Sequence, residues 1–183
     1  SFASIDSGIY RLNYFLQERG LDQLKIENAG GVSPEFDIIH INEFANFYQT
    51  QIEELEELLS MLPLGKPYEG GISSDFGYRR NPFTGRGREF HAGIDFRGKV
   101  GDSIQSTGDG VVSFAGAKGG FGRCVIIEHN ENLQTLYAHL QKVNVTEGQQ
   151  VNSGDVIGLL GNTGRSTGPH LHYEIILNNK RIN

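Results

Sequence analysis

From Gly71 onward the chain consists of short β-type runs broken by Gly, Asn and Asp at intervals of about ten residues. The clearest are Gly110-Val-Val-Ser-Phe114, Cys124-Val-Ile-Ile-Glu-His129, Leu133 to Leu140, Gln150-Val151, Val156-Ile-Gly-Leu-Leu160 and His170 to Leu177. Runs this short and this evenly spaced predict an antiparallel, mostly β core. Most of the chain's 25 glycines lie in the same part, where tight turns and close backbone approaches require them.

The first seventy residues follow a different period. Phe44, Phe47, Tyr48, Ile52, Leu55, Leu58 and Leu59 recur at helical spacing, with Glu53, Glu54, Glu56 and Glu57 largely opposite. This predicts a helix over Asn42–Met61, opened by Asn42-Glu43 and closed ahead of Pro63 and Pro67. An earlier helix is expected over Ser7–Arg19, ended by Gly20, with Asn28–Pro34 as a loop. The glutamate run reads as a solvated face. The chain thus divides into a small helical N-terminal arm, residues 1–69, and a β domain, residues 70–183. A helical hairpin or partner-docking segment is the natural reading of the arm.

Charge supports the division. Residues 1–70 carry 12 acidic and 4 basic side chains, net −8, and residues 71–183 carry 10 and 12, net +2. The β part is too weakly basic for nucleic acid to be its partner. The lone Cys124 excludes an internal disulfide and sits in an apolar strand run as a core residue. The chain opens on Ser, with no basic n-region leading into an apolar stretch and no apolar run of membrane-spanning length. It is therefore expected to be a mature or trimmed soluble portion.

Four of the six histidines fall in three short segments: His91-Ala-Gly-Ile-Asp95, Tyr137-Ala-His139-Leu140 and His170-Leu-His172. The first and third offer two imidazoles and a carboxylate, a set that Zn2+ accepts while one position stays open for water. The second and third add histidines free to move protons. In a strand, positions i and i+2 share a face, so His170 and His172 project together, followed by Glu174. The same rule pairs Tyr137 with His139 and turns Ala138 and Leu140 inward. His40, in an apolar turn-strand segment, and His129, at a strand end, lack such company and read as structural.

These segments, with Gly161-Asn-Thr-Gly-Arg-Ser-Thr-Gly-Pro-His-Leu-His-Tyr-Glu174, resemble the signature of the LytM/lysostaphin-type (M23) zinc metallopeptidases. Ser74-Asp-Phe-Gly-Tyr-Arg79 and the following Asn-Pro-Phe-Thr-Gly85 are similar to the stretch preceding that family's first ligand. The resemblance covers about residues 70–183 and implies a small antiparallel β-sheet core with a groove lined by loops. It also implies that His91, Asp95 and His172 bind Zn2+ and that His139 and His170, flanking the open position, are the catalytic pair. Which of the two is the base stays open. Tyr137 and Arg79 are candidate substrate-binding residues: Tyr137 as a donor or support for His139, or as packing; Arg79 as the holder of a carboxylate or a brace.

The implied activity is a zinc-dependent endopeptidase cutting cross-links or stem peptides of bacterial peptidoglycan, with the D-Ala–diaminopimelate type favoured over a pentaglycine bridge. Its expected place is the cell envelope, periplasmic or extracellular, anchored if at all by a segment outside this chain. Residues 1–69 are then expected to restrain the groove or dock an envelope protein. The alternative is a catalytically silent LytM-type module that activates another hydrolase. Five intact site residues argue against it. A lipoyl or biotinyl carrier is suggested by the turn-Gly-Asp texture of Val145–Gly158, but such carriers need a lysine at a hairpin tip, and Lys142 precedes the segment.

Overall fold

Between Pro34 and Pro63 the sequence has neither Gly nor Pro, and one helix, α1 (Ile38–Met61), occupies most of that stretch. It begins four residues before the expected Asn42. The isoleucines there cost under about 0.7 kcal/mol each in helix propensity, too little to stop a helix that has a continuous donor ladder. His40 consequently lies in α1 and not in a turn-strand segment. The computed structural model describes Tyr10, Arg11, Asn13, Tyr14, Gln17 and residues 38–183. Those five N-terminal residues are helical. The rest of the Ser7–Arg19 helix and the Asn28–Pro34 loop lie outside the described residues. Phe47, Tyr48, Leu55 and Leu58 of α1 are exposed.

The chain forms two units, Ser1–Ser60 and Met61–Asn183. The boundary falls before the expected 69/70 because the intervening segment bonds to the β unit. The Pro67 carbonyl accepts from Gln105 N (3.0 Å), Gly65 N donates to Thr107 O (3.4 Å), and the Tyr68 hydroxyl donates to Asp102.

The second unit is built on an antiparallel sheet. Its strands are β1 (Ile72–Ser74), β4 (Ile94–Arg97), β6 (Gly110–Ala117), β7 (Arg123–Asn130), β8 (Leu133–Leu140), β10 (Gln150–Val151), β12 (His170–Leu177) and β13 (Lys180–Ile182). They run in the order β1-β4-β12-β8-β7-β6-β10, with β13 paired to β12. A second sheet joins β5 (Ser103–Gln105), β11 (Val156–Leu159) and β9 (Lys142–Val143). The hairpin β2 (Gly77–Arg80) and β3 (Arg88–His91) stands apart. The antiparallel β core and groove are as the sequence and its resemblance imply. Strands β1 to β5 carry no apolar run long enough to announce themselves, and only the tertiary pairing makes them strands.

Each face of the large sheet has its own apolar cluster. Val125, Ile127, Tyr137, Leu171 and Tyr173 pack with Ile104, Leu140, Ile157 and Leu160. Fully burying each aliphatic side chain stabilises by about 1.5–3 kcal/mol. The opposite face holds a thinner cluster of Cys124, Ile126, Leu136 and Ala138 beneath Phe114 and Phe121. Cys124 is a core residue whose thiol is pushed up to about 11 by burial. His129 is buried too: its Nδ1–H donates to Asp109 O (2.7 Å) and its Nε2 faces the Thr135 hydroxyl at 2.8 Å.

Candidate active site

Strand pairing assembles the site on the face of the thinner cluster. β12 lies between β4 and β8, so His172 is opposite both Asp95 and Ala138. Alternation puts Leu171 and Tyr173 into the main core and His172 and Glu174 on the other face. The turn from His91 into β4 passes very close to β12. A Cβ on Gly93 would lie 2.3 Å from the Tyr173 carbonyl and 2.9 Å from His172 Cε1. Only glycine lets the His91–Asp95 segment approach this closely.

Three buried ligand atoms converge there. His91 Nε2 is 3.0 Å from Asp95 Oδ1 and 3.0 Å from His172 Nδ1, and His172 Nδ1 is 2.9 Å from Asp95 Oδ1. The far side of each imidazole is committed. His91 Nδ1–H donates to the Asp75 carbonyl (2.8 Å), and His172 Nε2–H donates to Glu174 (3.1 Å), itself held by Arg181 Nε (2.8 Å). Those outward hydrogens leave His91 Nε2 and His172 Nδ1 as lone pairs aimed at a carboxylate oxygen. Three acceptors at such separations repel one another unless a cation, proton or metal, lies among them. His₂Asp is a donor set that suits zinc with a coordination position to spare. The residues therefore fit a divalent metal of that kind, with the outer partners fixing each ligand's tautomer.

The protonation tendencies agree. Burial alone would raise the Asp95 carboxyl, but its close contacts with His172, His91 and Arg79 hold it well below the usual carboxylate range. Burial alone would depress His172, and its bonds to Asp95 and Glu174 instead raise it. Glu174, which burial would raise, is held low by His172 and Arg181.

His139 and His170 stand beside this cluster, their ring centroids 4.7 Å apart. His139 reaches the site by breaking the strand rule. Its φ is 62°, in the left-handed region, and the β7–β8 register slips between Arg123 and Val125. The resulting bulge reverses alternation at His139, so Ala138 and His139 both serve the site face while Tyr137 and Leu140 enter the core. Tyr137 therefore does not share the His139 face. It is 0 % exposed, and its hydroxyl is within 2.9 Å of Thr107 N and Oγ1 and 3.1 Å of Thr135 Oγ1. It is a core residue with a satisfied hydroxyl and has no access to a substrate.

The His139 Nδ1–H donates to the Thr163 carbonyl (2.8 Å), leaving Nε2 as the acceptor. Burial, with His170 and His172 adding to it against that bond, pushes His139 down to about 4. His170 Nδ1–H donates to Gly168 O (2.7 Å), and its Nε2 is 3.7 Å from Asp95 Oδ1. Arg79 braces the cluster: Nη1 donates to Asp95 Oδ2 (2.8 Å) and Ser74 Oγ (2.6 Å), and Nη2 lies 3.3 Å from Glu89. Of its two expected roles, the structure fills the bracing one, with the carboxylate being the chain's own.

His91, Asp95, His172, His139, His170, Arg79 and Glu174 line one cleft of about 330 Å³, and Tyr137 does not. Its walls are the β2–β3 hairpin, through Phe83 and Phe90, and the loop before β12, through Arg165 and Thr167. Glu174 was visible in the sequence only as the next residue on the histidine face. The carbonyls of Asp75, Thr163 and Gly168 carry no side-chain signal at all.

An antiparallel sheet bearing a buried His₂Asp set and two more histidines at one cleft defines a metallohydrolase type of site. The chain belongs to peptidase family M23, whose model matches residues 89–183. It is 48 % identical over 112 residues to the DD-carboxypeptidase/endopeptidase Mpg of Neisseria meningitidis serogroup B, covering 61 % of this chain and 26 % of that protein. It is 37 % identical over 145 residues to the peptidoglycan DD-endopeptidase ShyA of Vibrio cholerae, covering 79 % and 33 %. A crystal structure of a zinc-containing peptidase from Vibrio cholerae superposes with TM-score 0.56 at 41 % identity, over 62 % of this chain and 35 % of that one. The chain thus spans between a quarter and a third of the curated relatives named here. The Ser74–Arg79 stretch precedes the family match, yet its Arg79 holds Asp95.

Proposed function

We propose that this chain is a zinc-dependent endopeptidase that hydrolyses cross-links or stem peptides of bacterial peptidoglycan in the cell envelope. The observation that carries the reading is the convergence of His91 Nε2, Asp95 Oδ1 and His172 Nδ1 within 3.0 Å, beside two histidines whose Nε2 atoms are uncommitted to backbone. The relatives' names supply the substrate class. His91, Asp95 and His172 would hold the zinc, which would supply a Lewis acid for the scissile carbonyl and lower the pKa of water towards about 7.

The chain's own groups divide the remaining work. His139, kept neutral by burial, accepts the proton of the attacking water at Nε2. His170, whose Nε2 lies 3.7 Å from Asp95 Oδ1 and opens on the cleft, is placed to donate to the developing oxyanion or the departing amine. Arg79 and Glu174 keep the ligand atoms aimed. Residues 1–69 dock or restrain within the envelope in this reading.

Digestion of purified cross-linked muropeptides, followed by mass spectrometry, tests it. Cleavage by the zinc-containing chain and none by His172→Ala is the expected result. Zinc-loaded protein that leaves every cross-link and stem peptide uncut would return the chain to the regulatory-module reading.

A further inference from the structure

Two arginines line the cleft, and they differ in how their charge is used. Arg79 is saturated by Asp95, Glu89 and Ser74. Arg165, on the loop before β12, has a side chain 61 % exposed. Its guanidinium carbon sits 4.2 Å from the Phe83 ring centroid, and Nη2 is 3.8 Å from Glu89 Oε2. That ion pair is long, and Glu89 lies closer to Arg79, at 3.3 Å. The loop beneath Arg165 is fixed, since its backbone N donates to Gly120 O (2.8 Å). A planar cation is thus laid on an aromatic platform at the cleft wall, with most of its donors facing open space.

The charge balance tells what such a group receives. Arg79 and Arg165 face Asp95, Glu89 and Glu174 across the cleft, and Arg181 offsets Glu174 from behind, so a divalent cation in the cluster leaves the cleft positive. A flexible, water-screened pair at 3.8 Å is worth little and is readily exchanged for a carboxylate that meets the guanidinium fork bidentately. We propose that Arg165 is a specificity-determining residue that reads a free carboxylate on the peptide substrate, so the site takes anionic cross-links in preference to amidated or glycine ones. This rests on the endopeptidase reading above and names the substrate feature that it selects.

The test compares diaminopimelate-type cross-linked dimers whose side-chain carboxylate is free or converted to the carboxamide. The parent protein is expected to favour the free acid by about tenfold or more in kcat/KM, chiefly through KM. In Arg165→Gln the ratio falls to about one, while Arg165→Lys keeps part of it and both variants keep the parent's zinc content. A parent that cuts both dimers equally, or an Arg165→Gln variant that keeps the parent's preference, overturns the proposal. Should the parent cut neither, the endopeptidase reading fails, and calorimetric binding of the two uncut dimers decides instead. Tighter binding of the free acid that Arg165→Gln abolishes supports Arg165 as the reader; equal binding overturns it.

Discussion

Arg79 takes one oxygen of Asp95 and leaves the other to the histidines. Its Nη1 lies 2.8 Å from Oδ2, while Oδ1 faces His91 and His172 at 3.0 and 2.9 Å. A carboxylate bound this way is a one-atom ligand of fixed direction, and its charge is partly neutralised before any metal arrives. Arg79→Leu is expected to weaken zinc affinity by about 10–100-fold. Competition against a chelator of known affinity reads this directly, and Arg79→Lys should recover part of it.

The Glu174–His172 bond supports a second expectation. Glu174→Gln keeps an acceptor for His172 Nε2–H but removes the charge that raises the basicity of the ring and pairs with Arg181. Zinc affinity falls by about tenfold. Affinity also depends on pH, because His172 must lose its proton to bind. Its pKa in the metal-free fold lies above the ordinary value, so proton competition sets in as pH falls through that raised value and metal is progressively released. Zinc retention measured on acidification shows this loss. Unchanged affinity in both the variant and the acid series would count against the assigned outer partner.

Gly164 tests how His139 is held. It has φ of 72°, and a Cβ there would lie 2.3 Å from Gly122 N. Gly164→Ala must displace the neighbouring Thr163, whose carbonyl orients His139 and whose hydroxyl donates to Leu140 O. Turnover falls by at least about tenfold through kcat, with zinc content retained. Loss of zinc together with turnover would show that the loop supports the ligands instead.

How legible this site was depended on where the strand rules held. His170 and His172 share a face because β12 is regular, and the i, i+2 spacing of the sequence was sufficient to see it. The same reasoning misplaced Tyr137, because nothing in Tyr137-Ala-His139-Leu140 announces a left-handed residue. A non-glycine residue at φ 62° is a strained choice held by tertiary context, here a bulge and the Thr163 carbonyl. The six apolar runs became strands, whereas β1 to β5 depend on pairing that no local pattern encodes. Arg79 stands out in the sequence as a cation ahead of His91, but its bonds to Asp95, Ser74 and Glu89 depend on the folded hairpin. The early start of α1 escaped because a capping residue marks a possible helix start without enforcing one.

Acid stability follows from the buried neutral histidines. His139 titrates at about 4 in the fold against about 6.5 in the unfolded chain. Between those values the unfolded state binds more protons, so stability is lost as pH falls from about 6.5 toward 4. The contribution is at most about 3 kcal/mol, and His129, also depressed by burial, acts in the same direction. Metal-free His139→Gln should lose less stability over this window than the metal-free parent in urea unfolding. An identical pH slope would contradict a buried, neutral His139.

The most direct test of the central claim separates metal ligands from proton carriers. Zinc content and muropeptide cleavage are measured side by side for the parent and for His91→Ala, Asp95→Asn, His172→Ala, His139→Ala and His170→Ala. The account predicts one zinc per chain in the parent and in the His139 and His170 variants, with cleavage lost in both of these. It predicts neither zinc nor cleavage in the other three. Zinc lost on changing His139 or His170, or kept through all three changes in the cluster, would contradict it.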